Sequence, residues 1–374
     1  MQVYNVEVFH RDFSFVHNYT VEDITYKYDY LTPVENEVMM SYNANVKMGD
    51  YIVIRSDERH YDGVVSGIEV LTKDFMKVKY KPLTNIFNTT IYVDYRNQDP
   101  SSSNPPKSIE QIIYENIKYI FIDGYPPLPW EIEEYTGFTY DVDNLQKVPG
   151  LVVTKKSDTT VWQLGLEMSS NWGQYQYFSE VNLADYVIPR ALKSVGVMVS
   201  MRLDIENQKI YCDIERLSAT SLTIEADLPQ ILQKNINVVD TMEMPNKAIY
   251  LPYPPDPMAQ VTIYYRHSDG KWDTNNTDRL TPVILHSEAA SSTQYPTLEA
   301  ELFDKYGAVL YANLIELTTS YGTYEIEVGN TASIISEDNQ YESMLTGYEI
   351  HGDIIKYIFG MIRLDLTKIL KRRL

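Results

Sequence analysis

The sequence predicts a mainly β fold with α+β insertions: two related β-barrel-like domains and a mixed α/β middle portion. Three observations carry this. Short β-branched and aromatic runs recur at both ends of the chain, separated by turn formers. The chain holds 32 tyrosines in 374 residues, and tyrosine favours strands while its amphipathic ring favours covered surfaces. The third observation is a phrase written twice. Residues 66–70 read SGIEV and residues 346–350 read TGYEI. Each passes through a short polar turn (Thr72–Asp74; His351–Asp353) into a second apolar run, FMKVKY or IIKYIF. Each then closes on Leu-Thr-x-Ile-apolar, at Leu83–Phe87 and Leu366–Leu370. Two copies of one β unit in a single chain imply internal symmetry, and they mark Gly67, Glu69, Gly347 and Glu349 as candidate repeat and assembly positions.

The elements follow in order. Residues 1–98 read as an N-terminal barrel-like domain of partly alternating strands: YNVEVFHRD, VEDITYKYDYLT, EVMMSYNA, GDYIVIRSD, YDGVVSGIEVL and FMKVKYKPL. A Pro/Ser/Asn-rich linker, NQDPSSSNPPK at 97–107, separates it from an α+β middle domain over 105–218. There, Ser108 with Gln111 three residues on reads as a capping box. Ile109, Ile112, Ile113, Ile117, Ile120 and Phe121 form one helical face, which DGYPPLPW stops. A second helix is expected over 182–194, broken near Pro189 and ended by Gly196. A hairpin then joins VMVSMRLD to KIYCDIERL. Residues 219–374 read as the second barrel-like domain, with an inserted α+β portion at about 255–318. Its expected strands are LTIEAD, KAIYLPY, QVTIYYRH, TPVILH, TYEIEVG, MLTGYEI and IIKYIF. One helix interrupts them, from Thr297 through LEAELFDKYGAVLYANLIEL. Strand runs, then helices, then strand runs suggest two β domains around helical material.

Composition excludes several classes. The 32 basic and 52 acidic residues leave a net charge of −20, unsuited to counterion-release binding of a phosphate backbone. Such a surface suits a wall past which DNA slides without sticking. No run approaches the roughly 18 apolar residues of a membrane helix, and MQVYNVEVFHRDF is no signal peptide, so cytoplasmic synthesis and no membrane insertion are expected. The single Cys212 excludes a disulfide within the chain and a thiolate zinc site, and reads as a small buried hydrophobe. Histidines 10, 17, 60, 267, 286 and 351 lack metal-ligand spacing. DVDN (141–144) and DTNNTD (273–278) lack the Gly and Glu of a calcium loop and read as polar turns. Neither a GxSxG elbow nor a phosphate-binding glycine loop is present. No catalytic residue, metal ligand or cofactor is therefore predicted, and the chain reads as a non-enzyme. The strongest enzymatic candidate is PPLPWEIEEYTGF, where Glu131, Glu133 and Glu134 follow Trp130. Sugar-cleaving sites pair carboxylates beside stacking rings, so a carbohydrate-binding or carbohydrate-cleaving protein is the alternative. With 52 acids, however, a solvated acidic face is the preferred reading of those glutamates.

The stretch KMGDYIVIRSDERHYDGVVSGIEVLTKDFMKVKYKPLTNIFN resembles the N-terminal domain of siphophage tail-tip or baseplate hub proteins, the tail-associated lysin hub family. The matching pieces are a Gly-Asp-x-Ile strand (Gly49–Ile52), an apolar-Gly-x-Val strand carrying its Glu (Asp62–Val70) and a strand closing on Leu (Met76–Leu83). YEIHGDIIKYIFGMIRLDLTKIL resembles the closing strands of the same hubs, and VTIYYRHSDGKWDTNNTDRLTPV their third-domain strand and loop. The resemblance implies a homotrimer beneath a hexameric distal tail protein, its two β domains per chain mimicking two tube subunits. Six similar surfaces would then come from three chains. It further implies a place in the virion at the tail tip, DNA passing in transit through a closed or gated channel, and contact with receptor-binding and tape-measure proteins. Many relatives carry an added peptidoglycan-cleaving domain. This sequence ends after the hub-like region and is more similar to the short lactococcal-type hubs, so no lytic activity is expected.

Overall fold

A computed structural model describes residues 3–22, 24–57, 59–94, 107–125, 147–158, 178–217, 221–237, 246–252, 262–267, 272–277, 279, 285–290 and 313–360. The fold is mostly β, with two curled half-barrel sheets and few helices.

The first sheet draws on β1 (Tyr4–Phe9), β2 (Phe15–Val21), β4 (Asn36–Ser41), β5 (Tyr51–Arg55), β6 (His60–Val70) and β7 (Phe75–Lys81), ordered β2-β1-β5-β6-β7-β4. Its inner face follows the period of two: in β1 the residues Tyr4, Val6 and Val8 are fully buried while Asn5 and Glu7 face outward. β3 (Thr25–Asp29) does not join this sheet. It crosses to the far end of the chain, as described below.

The middle portion starts with a short 3₁₀ turn (Leu83–Phe87) and β8 (Thr90–Asp94), which pairs with β10 (Phe178–Asn182). Helix α1 (Ile109–Ile117) begins at Ser108, whose side chain accepts the Gln111 N–H. The Gln111 amide turns away to Glu115 rather than back to the cap, so only half of the expected capping box forms. The expected apolar face is buried and continues through a π-helical turn, Lys118–Ile122. The second helix starts at Asn182, whose side chain caps Asp185 N–H. It runs as a π turn to Val187 and then as α2 (Ile188–Val195), so the hydrogen-bonding pattern changes just before Pro189, which has no N–H to donate to the preceding turn. Gly196 ends it at φ 69°, in the left-handed region. The hairpin of β11 (Val197–Asp204) and β12 (Lys209–Arg216) follows, with β9 (Leu151–Lys155) parallel to β12. Two side chains hold this hairpin: Tyr30 Oη, just after β3, accepts the Val199 N–H at 2.8 Å, and Asp62 of β6 accepts the Leu203 N–H at 3.0 Å. Cys212 lies fully buried in β12, and burial pushes its thiol up to about 12, so it is inert packing.

The second large sheet orders β13 (Ser221–Glu225), β20 (Thr331–Ser336), β21 (Asn339–His351), β22 (Ile354–Phe359), β19 (Leu314–Ser320) and β14 (Ile231–Asn237). β13 and β14 adjoin in sequence yet stand at its two edges. A separate four-stranded sheet holds β15 (Lys247–Pro252), β16 (Thr262–Arg266), β17 (Trp272–Asp273) and β18 (Leu285–Ala290) in the order β17-β16-β15-β18.

Two expectations are corrected. The helix from Thr297 does not reach its expected end, because Leu314–Leu317 belongs to strand β19; residues 297–312 lie outside the described ones. Ile315 and Leu317 are buried on alternate positions between β14 and β22, so tertiary pairing sets period two there. The run TYEIEVG is not a strand but a loop. Its backbone groups find other partners: Tyr324 C=O accepts from the Tyr357 hydroxyl, and Glu327 N–H donates to Asn330 Oδ1. Strands β2, β8, β9, β10, β14, β17 and β20 were not among the expected elements.

Candidate functional site

The repeated phrase lies on two hairpins built alike. β6 pairs β7 antiparallel and β21 pairs β22 antiparallel, each across the polar turn the sequence suggested. Both ladders slip by one residue at the same place, between Val65 and Gly67 and between Leu345 and Gly347. A bulge therefore falls at Ser66 in one and Thr346 in the other, and Gly67 and Gly347 each follow it. The agreement extends upstream. Gly49 and Gly329 have φ 88° and 94°, and each donates its N–H at 2.8 Å to the residue before the bulge, Val65 or Leu345. Val65 and Leu345 in turn donate to Asp50 and Asn330 carbonyls. The neighbouring strands match as well: β5-β6-β7-β4 and β20-β21-β22-β19 run in the same chain order with the same antiparallel pairings. One four-strand unit occurs twice. The closing Leu-Thr-x-Ile is a 3₁₀ turn at Leu83–Phe87; its counterpart at 366–370 lies outside the described residues.

Charge follows the same plan. Lys77 bonds Glu37 at 3.2 Å across β4 and β7, and Lys356 reaches Glu316 at 3.7 Å across β19 and β22. Glu69 and Glu349 stand opposite these lysines in register. Glu349 is held between Lys356 at 2.9 Å and Lys27 at 3.5 Å. Burial opposes its charge, but the two ammoniums outweigh burial and keep its carboxyl below the usual range. Glu69 is exposed and has no ion pair among the described residues.

The units differ where β3 arrives. β3 leaves the N-terminal sheet and pairs antiparallel with the second half of β21, Asp29 opposite Gly347 and Thr25 opposite His351. Past the bulge, Tyr30 N–H donates to Thr346 C=O at 2.9 Å. A Cβ on Gly347 would lie 2.5 Å from the Tyr28 carbonyl oxygen, so glycine is required for this close approach. The seam is sealed by tyrosines. Tyr26 stacks on Tyr61 with ring centroids 4.1 Å apart, and Tyr28 stacks on Tyr348 at 5.5 Å. Burial raises all four phenols well above their ordinary value, which keeps them neutral. Arg59 closes the other end. Its buried guanidinium donates to Tyr4 Oη at 2.8 Å and to Gly352 C=O at 2.5 Å, and lies 4.0 Å over the Tyr321 ring.

The departure of β3 leaves an open groove between β2 and β4, lined by Tyr19, Ile24, Lys27, Asn36, Glu37 and Lys79. Two of its three glutamates are engaged by lysines, Glu37 by Lys77 and Glu35 by Lys79. Among the described residues no cluster of three His, Cys, Asp or Glu could hold a metal, and no helix is long and apolar enough to cross a membrane. Asp273 accepts from Asn275 N–H and bonds His267, an ordinary polar turn. Trp130, Glu131, Glu133, Glu134 and 141–144 lie outside the described residues.

No family model matches the chain, and no curated protein matches it. Solved structures do. A tail protein from Neisseria meningitidis is 10% identical, covers 96% of this chain and 96% of its own, and has a TM-score of 0.50. A 43 kDa tail protein of a Shewanella oneidensis prophage is 10% identical over 95% of this chain and 98% of its own, with a TM-score of 0.49. A component of the phage P2 baseplate in its activated conformation with Ca is 10% identical over 96% of this chain and 98% of its own, with a TM-score of 0.46. At such identity the likeness to the Neisseria protein shows a shared fold. The chain shares the fold of that tail protein, and its structural neighbours include phage tail, phage baseplate and type VI secretion proteins.

Proposed function

We propose that the chain is a structural hub of a phage tail, a homotrimer at the tail tip joining a hexameric distal tail protein to the baseplate. The observation that carries this reading is the four-strand unit present twice in one chain. Three chains then present six similar units, which matches threefold symmetry to sixfold symmetry without a second gene product. The division into residues 1–98, 105–218 and 219–374 belongs to this reading, with the two units in the outer parts and the helices between them. The net charge of −20 suits a wall past which DNA moves, and a channel closed or gated at this level follows from that position. Receptor-binding and tape-measure proteins are the further partners this place would bring into contact.

Mixing the purified chain with the distal tail protein of the same phage and imaging the product tests the reading. Rings of three copies under six are expected. A chain that stays separate from the distal protein would sink it. The alternative, a carbohydrate-binding or carbohydrate-cleaving tail protein, predicts release of reducing sugar that Glu131→Gln or Glu134→Gln abolishes, and none is expected.

A further inference from the structure

We propose that the outer edge of β6 over residues 66–71 is an unfilled strand-acceptor site, and that an extended segment of a second copy of this chain fills it. The inference rests on the tail-hub reading and adds to it the place and chemistry of the contact between copies. The two units supply the argument, because the same edge is occupied in one and open in the other. On β21 the edge beyond the bulge receives β3 at five consecutive positions, Gly347 to His351. On β6 the pairing with β5 ends at Val64, and beyond it no strand among the described residues lies on that side.

Three residue pairs record the missing strand. Ile350 is 2% exposed beneath β3, whereas Val70, in the matching position, is 59% exposed. Glu349 binds Lys27 of the incoming strand, whereas Glu69 has no cation within the described residues. Gly347 must lack a Cβ because the Tyr28 carbonyl oxygen would lie 2.5 Å from it. A Cβ on Gly67 would meet only the Lys79 side chain, at 3.5 Å, an ordinary contact. Gly67 thus leaves room for a close backbone approach that none of the described residues makes. Leu71 and Phe75, 41% and 43% exposed, continue the apolar strip. An exposed edge of this kind templates pairing with another chain.

The occupant is a second copy because the repeat already defines the contact. Within one chain the first unit sends a strand to the second. The next contact around a ring brings the second unit of another copy against the first unit of this one, a head-to-tail relation that closes on rotation. The incoming segment is expected to run antiparallel to β6, to place a backbone carbonyl over Gly67 and to set a basic side chain against Glu69.

Hydrogen–deuterium exchange across a concentration series, read alongside light scattering, tests this on the intact chain. As copies associate, the amides of residues 66–70 that face away from β7 should gain protection of about tenfold or more. Val70→Lys and Gly67→Val should each leave a folded monomer that no longer associates, while Lys209→Glu on the β11–β12 hairpin associates normally. Gly67→Val serves if Val70→Lys disturbs folding, since a Cβ at Gly67 meets only the Lys79 side chain, at 3.5 Å. Association with those amides unprotected, and unaffected by either variant, overturns the acceptor edge and leaves the hub reading intact. A chain that stays monomeric at every concentration, with those amides exchanging fast, overturns both the edge proposal and the homotrimer.

Discussion

Gly67 and Gly347 show how one residue type at one position answers to different neighbours. Replacing Gly347 with Ala drives a Cβ into the Tyr28 backbone, which can yield only if β3 shifts; a loss of about 1–3 kcal/mol is expected in denaturant unfolding. Gly67→Ala should stay within about 1 kcal/mol of the parent in the monomer. Equal losses at both sites would show that the glycines serve their own hairpins and not an incoming strand. Arg59 is the second residue with a large expected effect. Arg59→Met removes the donor to Tyr4 and Gly352 and the cation over Tyr321, and about 2–3 kcal/mol should be lost. The glycines were legible in the sequence because the phrase around them repeats. Arg59 was not, since Tyr4 lies 55 positions away and Gly352 lies 293, and no local pattern announces contacts of such range.

Elements were legible where period and punctuation agreed. The α1 face, the Asn182 and Gly196 ends of the second helix and both bulged hairpins follow from residue order alone. β14 was missed because five of its seven residues are exposed and polar or lie at the sheet rim, so no alternation marks it. The exchange of β3 could not be read either, since TYKYD carries the pattern of a strand but not the address of its sheet. That exchange gives a prediction about pH. Glu349 has a folded-state carboxyl below its ordinary value, so its contribution is fully present above the unfolded value and is lost as pH falls through the folded one. Lys356 is raised despite burial by its bond to Glu349, so its contribution is present below its ordinary value and is lost as pH rises through the folded value. The pair therefore stabilises the β3–β21–β22 seam between the acid and alkaline limits. Both side chains are about a third exposed, so solvent screening keeps the effect to about 1 kcal/mol or less. Glu349→Gln should flatten the acid limb of a stability–pH curve while leaving the alkaline limb of the remaining groups in place. An unchanged acid limb would assign that limb to other carboxylates.

At the scale of the molecule, the sequence disclosed the repeat but not how the two copies join. The join runs through β3, the tyrosine stacks and Arg59, and on the proposed hub reading one chain would fill two consecutive positions of a ring. The expected solution species is a closed trimer with three times the 43.3 kDa subunit mass, measurable by light scattering. Its salt dependence should be unusual for an assembly that includes ion pairs. Each copy carries a net charge of −20, so bringing three together opposes like charges across the whole surface. The pairing expected at Glu69 is one contact at a rim and is worth little once solvated. Raising ionic strength from about 0.01 M to 0.15 M shortens the screening length from roughly 30 Å to 8 Å, which removes most of the long-range repulsion and leaves backbone pairing and apolar burial in place. Association should therefore strengthen over that range, with the monomer fraction falling at fixed protein concentration. A trimer that dissociates as salt is added would mean that local ion pairs hold the ring, and the backbone edge would then be secondary to charge.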